Sequence, residues 1–192
     1  MMKKILRKGS QHSAGSGDYL ATSENTYEIR QAVMTVDDRD ACLRLIQDVA
    51  RNYSAHIVCF DADKLAGREH AEAAVIHAKR SVLSGKPISN SFEMEALLFA
   101  AGSRQCSVAT VFGIHEGENN IYVCSYPAKE EVWNALSSQM QFVPETWDDL
   151  TDTKIERLVS LFGIPQEELD IVGKERLKDI ILERIALLEV FR

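Results

Sequence analysis

No stretch of this sequence stays apolar for the roughly 20 residues a helix needs to cross a bilayer, which argues against a membrane-spanning segment. Disulfide or metal-ligand spacing is also missing. The four cysteines (Cys42, Cys59, Cys106, Cys124) form no CxxC pair. The basic start MMKKILRK runs into GSQHSAGSGD without the apolar region of a signal peptide, so the expected location is a reducing cytoplasm. Positive charge is not in excess. A formal net charge of −7 excludes a generic, charge-driven coat for DNA or RNA, while a local basic site stays open. The sequence has no GxxxxGK(S/T), GxGxxG, GxSxG or HExxH, and so lacks a phosphate-cradling loop, a dinucleotide fingerprint, a nucleophile elbow and a zinc-protease helix. His70 and His77 are seven residues apart, where a helical metal pair needs four, so no metal or other cofactor is expected. Cys59 sits in an apolar run with no cation beside it, as an inert buried thiol would. Asp61 and Asp63 follow that run and read as a turn. These absences together disfavour an enzyme.

A composition of 45% hydrophobic and 27% charged residues is that of a globular protein, and the length suits one core. Residues Met1 to Thr26, rich in Ser, Gly, Lys and Asn, read as a flexible leader to a single domain over 27–192. Tyr27–Val36 has strand character, and Asp37-Asp38 opens a helix to about Tyr53 with Cys42, Leu45, Ile46 and Val49 as its stripe. Ala55–Phe60 reads as a buried strand. A helix over Arg68–Ser84 turns Ala71, Ala74, Val75, Ala78 and Val82 inward and is capped by Gly85. A buried helix over Phe92–Ala101 follows, with Asn90 as N-cap and Glu93 completing a capping pair. Ser103 is expected to cap another helix ending at Gly113. HEGENN reads as a turn before the strand IYVCS, and Ala128 to about Gln141 as a helix. Two further helices cover Asp152–Phe162 and Lys174–Val190, with a short Pro165-initiated piece between them. The expected class is α/β in the mixed α+β sense: a small mixed, partly antiparallel sheet covered by several helices.

The segment Lys86–Gln105 carries the most information. Its middle is apolar on every face, as in a helix inserted into a core. Only Glu93 and Glu95 are polar there, in the first turn where the helix dipole favours carboxylates. Its ends carry Lys86, Asn90, Ser91, Arg104 and Gln105. No acid lies between Ala73 and Phe92, where Lys79, Arg80 and Lys86 are basic, whereas Pro144–Arg192 has a net charge of −5 (7 basic against 12 acidic residues). Capping explains Asn90 and Ser91 as well as a ligand does. Arg104 opposes the dipole of the helix it is expected to open, so an acidic partner or an anionic ligand should compensate it. About 16 Å of helix separates Asn90 from Arg104, which suits a groove followed by several nucleotides better than one phosphate site.

At these residues the sequence resembles the kinase-binding subunit of the KEOPS complex, the TPRKB-like family, archaeal type. The resemblance rests on Gly67-Arg68-Glu69-His70, His77-Ala78-Lys79-Arg80, Ile88-Ser89-Asn90-Ser91 with Glu95, and Ala101-Gly102-Ser103-Arg104-Gln105 with Gly113. It covers about Tyr27 to Tyr126 and extends to the last helices only by pattern. It implies a non-catalytic subunit with two partners: the small KEOPS kinase/ATPase of the tRNA threonylcarbamoyladenosine pathway, and the single-stranded CCA end of tRNA. Carried over onto this chain, the RNA-binding candidates are Lys79, Arg80, Lys86, Asn90, Ser91, Arg104 and Gln105. For the kinase the last helix is the candidate, with Ile180, Ile181, Leu187, Leu188 and Phe191 broadening its apolar stripe. A protein-only kinase regulator without RNA binding and an unrelated small-molecule-binding domain are the alternatives.

Overall fold

The computed structural model describes residues 26–190; residues 1–25 of the expected leader and Phe191 lie outside them. Four strands form one sheet in the order β2-β3-β1-β4, with β1 at Glu28–Val36, β2 at His56–Asp61, β3 at Gly117–Tyr126 and β4 at Gln141–Val143. All three pairings are antiparallel. Because side chains alternate along a strand, β1, β2 and β3 each feed two cores. Ile29, Val58, Phe60, Tyr122 and Cys124 face one side, packed under α2 (Arg68–Leu83), α3 (Phe92–Ala100), α6 (Asp152–Phe162) and α8 (Leu177–Val190). Ala32, Met34, Ile57, Cys59, Ile121 and Val123 face the other, covered by α1 (Arg39–Asn52) and α5 (Glu130–Leu136). The short helices α4 (Cys106–Ala109) and α7 (Gln166–Val172) complete the set. The expected sheet covered by helices is therefore present. Among the described residues no helix is long and apolar enough to cross a membrane.

Several boundaries differ from the sequence reading. Gly117–Asn120 is not turn but strand, paired with Val33–Val36. The reversal is tightened just before it, where Asn119 accepts from the His115 N–H and donates to the His115 and Gly117 carbonyls. The helix expected to reach Gln141 stops at Leu136, and Gln141–Val143 instead pairs with Gln31–Val33 at the sheet edge. Three residues of strand are too few for a periodicity to show. Val82 is exposed, because Ser81 takes the inward position in the last turn of α2. Leu45 is exposed too, leaving Ile46 as the fully buried member of the α1 stripe.

The connection from α2 to α3 explains the Ser81 exchange. Gly85 follows the C-cap at φ +69, and the bonds Gly85 N–H to Val82 O and Lys86 N–H to Ser81 O close the helix, the left-handed ending that favours glycine. Ser91, not Asn90, is the N-cap of α3, its hydroxyl accepting from the Met94 N–H at 3.2 Å. Glu93 does not complete a capping pair; it reaches His56. Glu95 turns inward, fully buried, and accepts from the Ile88 and Ser89 N–H groups at 2.8 Å each and from the Ser81 hydroxyl at 2.5 Å. Three donors satisfy a carboxylate that burial alone would expel. Glu95→Ala removes the acceptor, leaving the half-buried Ile88 and Ser89 N–H groups without that partner and the Ser81 hydroxyl with the Lys86 carbonyl alone. It should cost about 3 kcal/mol or more, read as a lower urea midpoint, with Glu95→Gln intermediate.

Candidate functional site

Helix α3 is nine residues long, about 13 Å, and six of them are buried. Its two ends are therefore separate places on the surface, and the candidate residues divide between them. Lys79, Arg80, Lys86, Asn90 and Ser91 belong to the first end. Arg80, Lys86, Asn90 and Ser91 are exposed, and the Lys79 ammonium lies 5.2 Å from the centre of the Tyr126 ring, a cation–π contact. Tyr126 packs on Phe92 at 5.2 Å, and Phe92 packs on His56 at 4.9 Å. His56 is about half exposed and shares a 2.8 Å contact with Glu93. Burial acts most strongly on the Glu93 carboxyl and raises its pKa, but hydrogen bonds from His56, its own backbone N–H and Ser91, with the attraction of His56, together outweigh it and hold the group below its ordinary value. Asn90, Ser91 and His56 line one end of a cleft of about 850 Å³ that runs between α1, β2 and α3.

Arg104 and Gln105 occupy the other end and are exposed. They precede α4 instead of opening a helix at Ser103: Gln105 is the N-cap, and Ser103 holds the turn by accepting from the Gln105 N–H at 3.2 Å. Arg104 lines a second cleft, of about 510 Å³, with Phe162, Arg184, Leu187 and Leu188. An expected RNA contact and two expected kinase contacts thus share one surface. The α8 set contracts in turn. Ile180 and Ile181 are core residues and not surface ones, while Leu187 is 40% exposed and Leu188 half-buried. The α8 stripe reads wider than one core contact needs because the helix is covered by α2 on one side and α3 on another.

The groups that suggest chemistry serve the fold. Among the described residues no three His, Cys, Asp or Glu side chains could hold a metal ion. Asp61 accepts from the Asp63 N–H and pairs with Lys64 at 2.8 Å, which makes it a turn. Burial pushes the Cys59 thiol up to about 12, far from a thiolate at neutral pH. His77 stacks on Phe99 and reaches Glu189 at 2.5 Å, clasping the end of α8 to α2. His70 is fully buried; its Nδ1 accepts from the Ala66 N–H and its Nε2 donates to the Ala100 carbonyl, a pairing that fixes the neutral tautomer. Sequence reasoning missed His56 and Arg39 as lining residues. The only signal for His56 was a polar residue opening an apolar strand.

Apolar clefts rimmed by a few charged or aromatic groups are surfaces for binding. The model of the family described as kinase binding protein CGI-121 matches residues 24–189, and the chain belongs to that family. No curated protein matches the chain.

Burial lowers the His70 pKa from an ordinary 6.5 to about 4. The unfolded chain then binds a proton that the native protein refuses between those values. The stability associated with neutral His70 is full above about pH 6.5 and is lost as pH falls towards 4, by up to about 3 kcal/mol. Urea midpoints at pH 7 and pH 5 should differ accordingly, and the His70→Gln variant should show a flatter dependence.

Proposed function

We propose that this chain is a non-catalytic regulatory subunit of the cytoplasmic KEOPS tRNA threonylcarbamoyladenosine-modification complex. It binds and regulates the KEOPS kinase/ATPase and holds the 3′ CCA end of tRNA. The observation that carries the kinase part is the family match across nearly the whole described domain. The exposed end of α8 at Leu187 and Leu188 supplies an apolar contact for that partner.

Support for the RNA part is the basic, acid-free connection from α2 to α3. Lys79, Arg80 and Lys86 supply cations there, Asn90 and Ser91 supply hydrogen-bonding groups, and His56, Phe92 and Tyr126 form an aromatic cluster beside them. Single strands are held by such combinations of modest charge and ring stacking. Arg104 and Gln105, at the far end of α3, would meet the strand further along. The protein-only reading has one observation in its favour: Arg104 shares its cleft with Leu187 and Leu188, so its cation would serve the protein partner instead.

Two variants separate these readings at one fixed salt concentration. Arg104→Glu should weaken tRNA binding about tenfold and leave kinase affinity unchanged, whereas Leu187→Asp should do the reverse. Removing CCA from the tRNA should abolish the Arg104 effect. Unchanged tRNA affinity in Arg104→Glu together with weakened kinase binding would support the protein-only regulator.

A further inference from the structure

The open side of the sheet along Ile57–Phe60 carries none of the residues of that reading, although His56, Asn90, Ser91 and Phe92 line the same cleft. Among the described residues β2 pairs only with β3, so alternate N–H and C=O groups along Ile57–Phe60 point away from the ladder. Among the described residues no loop or cap hydrogen bond reaches them. Helix α1 covers one face of this strand, with Ile46 in the same core as Ile57 and Cys59. Helix α3 covers the other, with Phe92 and Ala96 in the core of Val58 and Phe60. Both helices line the 850 Å³ cleft, and β2 forms its floor.

The shape of the cleft selects its occupant. Its lining residues on α1 run from Arg39 to Arg51, about 18 Å along the axis. A volume of about 850 Å³ divided by that length leaves a cross-section of about 50 Å². One strand in a packed sheet takes about 4.8 Å by 10 Å, which is the same area; an α-helix with its side chains takes about twice as much. The walls are apolar, with Leu43 and Ile46 on α1 and Met94 and Leu97 on α3. At the N-terminal end of α1, the Arg39 Nε is shielded from water and has no hydrogen-bond partner. A buried cationic donor without an acceptor is costly, and a carboxylate is the acceptor that matches a guanidinium best. An acyl chain would fill the walls but leave the strand edge unpaired. An extended peptide satisfies both.

We propose that this cleft takes an extended segment of a partner protein as a fifth strand on β2. Alternate apolar side chains would lie against α1 and α3, with an acidic side chain on Arg39. The inference does not rest on the kinase or tRNA assignment, because it is argued from the β2 edge, the α1 and α3 walls and Arg39, and uses neither α8 nor Lys79, Arg80 and Lys86.

The test is a fluorescence anisotropy titration of the full chain. The probe is a terminally blocked eight-residue peptide that alternates valine and threonine and ends in two aspartates. Saturable binding is expected, weakened at least about tenfold when backbone N-methyl groups block the ladder. Arg39→Glu should lose about tenfold and regain it when the two aspartates become lysines. Ala50→Trp, which fills the cleft from α1, should block every peptide while circular dichroism stays unchanged. No peptide binding up to about 1 mM, equal affinity for the N-methylated peptide, or an Arg39→Glu loss that the lysine peptide does not reverse would each overturn the proposal. If Arg39→Glu does not fold, the N-methyl comparison on the unaltered chain decides.

Discussion

The buried carboxylate of Glu95 holds together the part of this protein on which its surfaces depend. It draws on a hydroxyl from α2 and two backbone N–H groups from the following loop while sitting in the first turn of α3. One side chain thereby fixes where α2 ends, how the chain crosses over and where α3 begins. The loop it anchors presents Lys86, Asn90 and Ser91, and the helix it starts ends beside Arg104. Without that anchor an apolar helix would enter the core at no set depth, and the two clefts at its ends would lose their walls.

Much of this was legible in the sequence where a strong local signal agreed with the global pattern. An all-round apolar run marked α3, and the strands β1 and β2 showed as β-branched and apolar runs. The capping chemistry misled because Asn90 and Ser91 are both good N-caps, and a one-residue choice depends on which side chain can reach the third N–H. Glu95 looked like a first-turn carboxylate responding to the dipole. That it turns inward instead depends on Ser81 and Ile88, seven or more residues away, which no local rule contains.

The division of the candidate residues had a different cause. Sequence order and helix length place Arg104 and Asn90 along one groove, at the two ends of a helix that is nine residues long. What sequence order could not supply was α8, which returns from the far end of the chain to share the Arg104 cleft. Periodicity likewise identified the apolar residues of α8 without saying that Ile180 and Ile181 lie in the core that α2 and α3 share. His70 and His77, seven apart on one helix, each have a structural employment: one inside the core, one clasping a helix end.

The two borders of the sheet are protected in different ways, and this bears on how the protein behaves in a crowded solution. On one side β4 ends the sheet after three residues, too short to template a longer pairing. On the other, β2 lies recessed between α1 and α3 at the bottom of a slot one strand wide. A second copy approaching edge to edge would bring its own flanking helices, which cannot enter that slot. The same walls that leave room for a lone strand therefore turn away another folded molecule, so an unpaired border can persist without seeding aggregates.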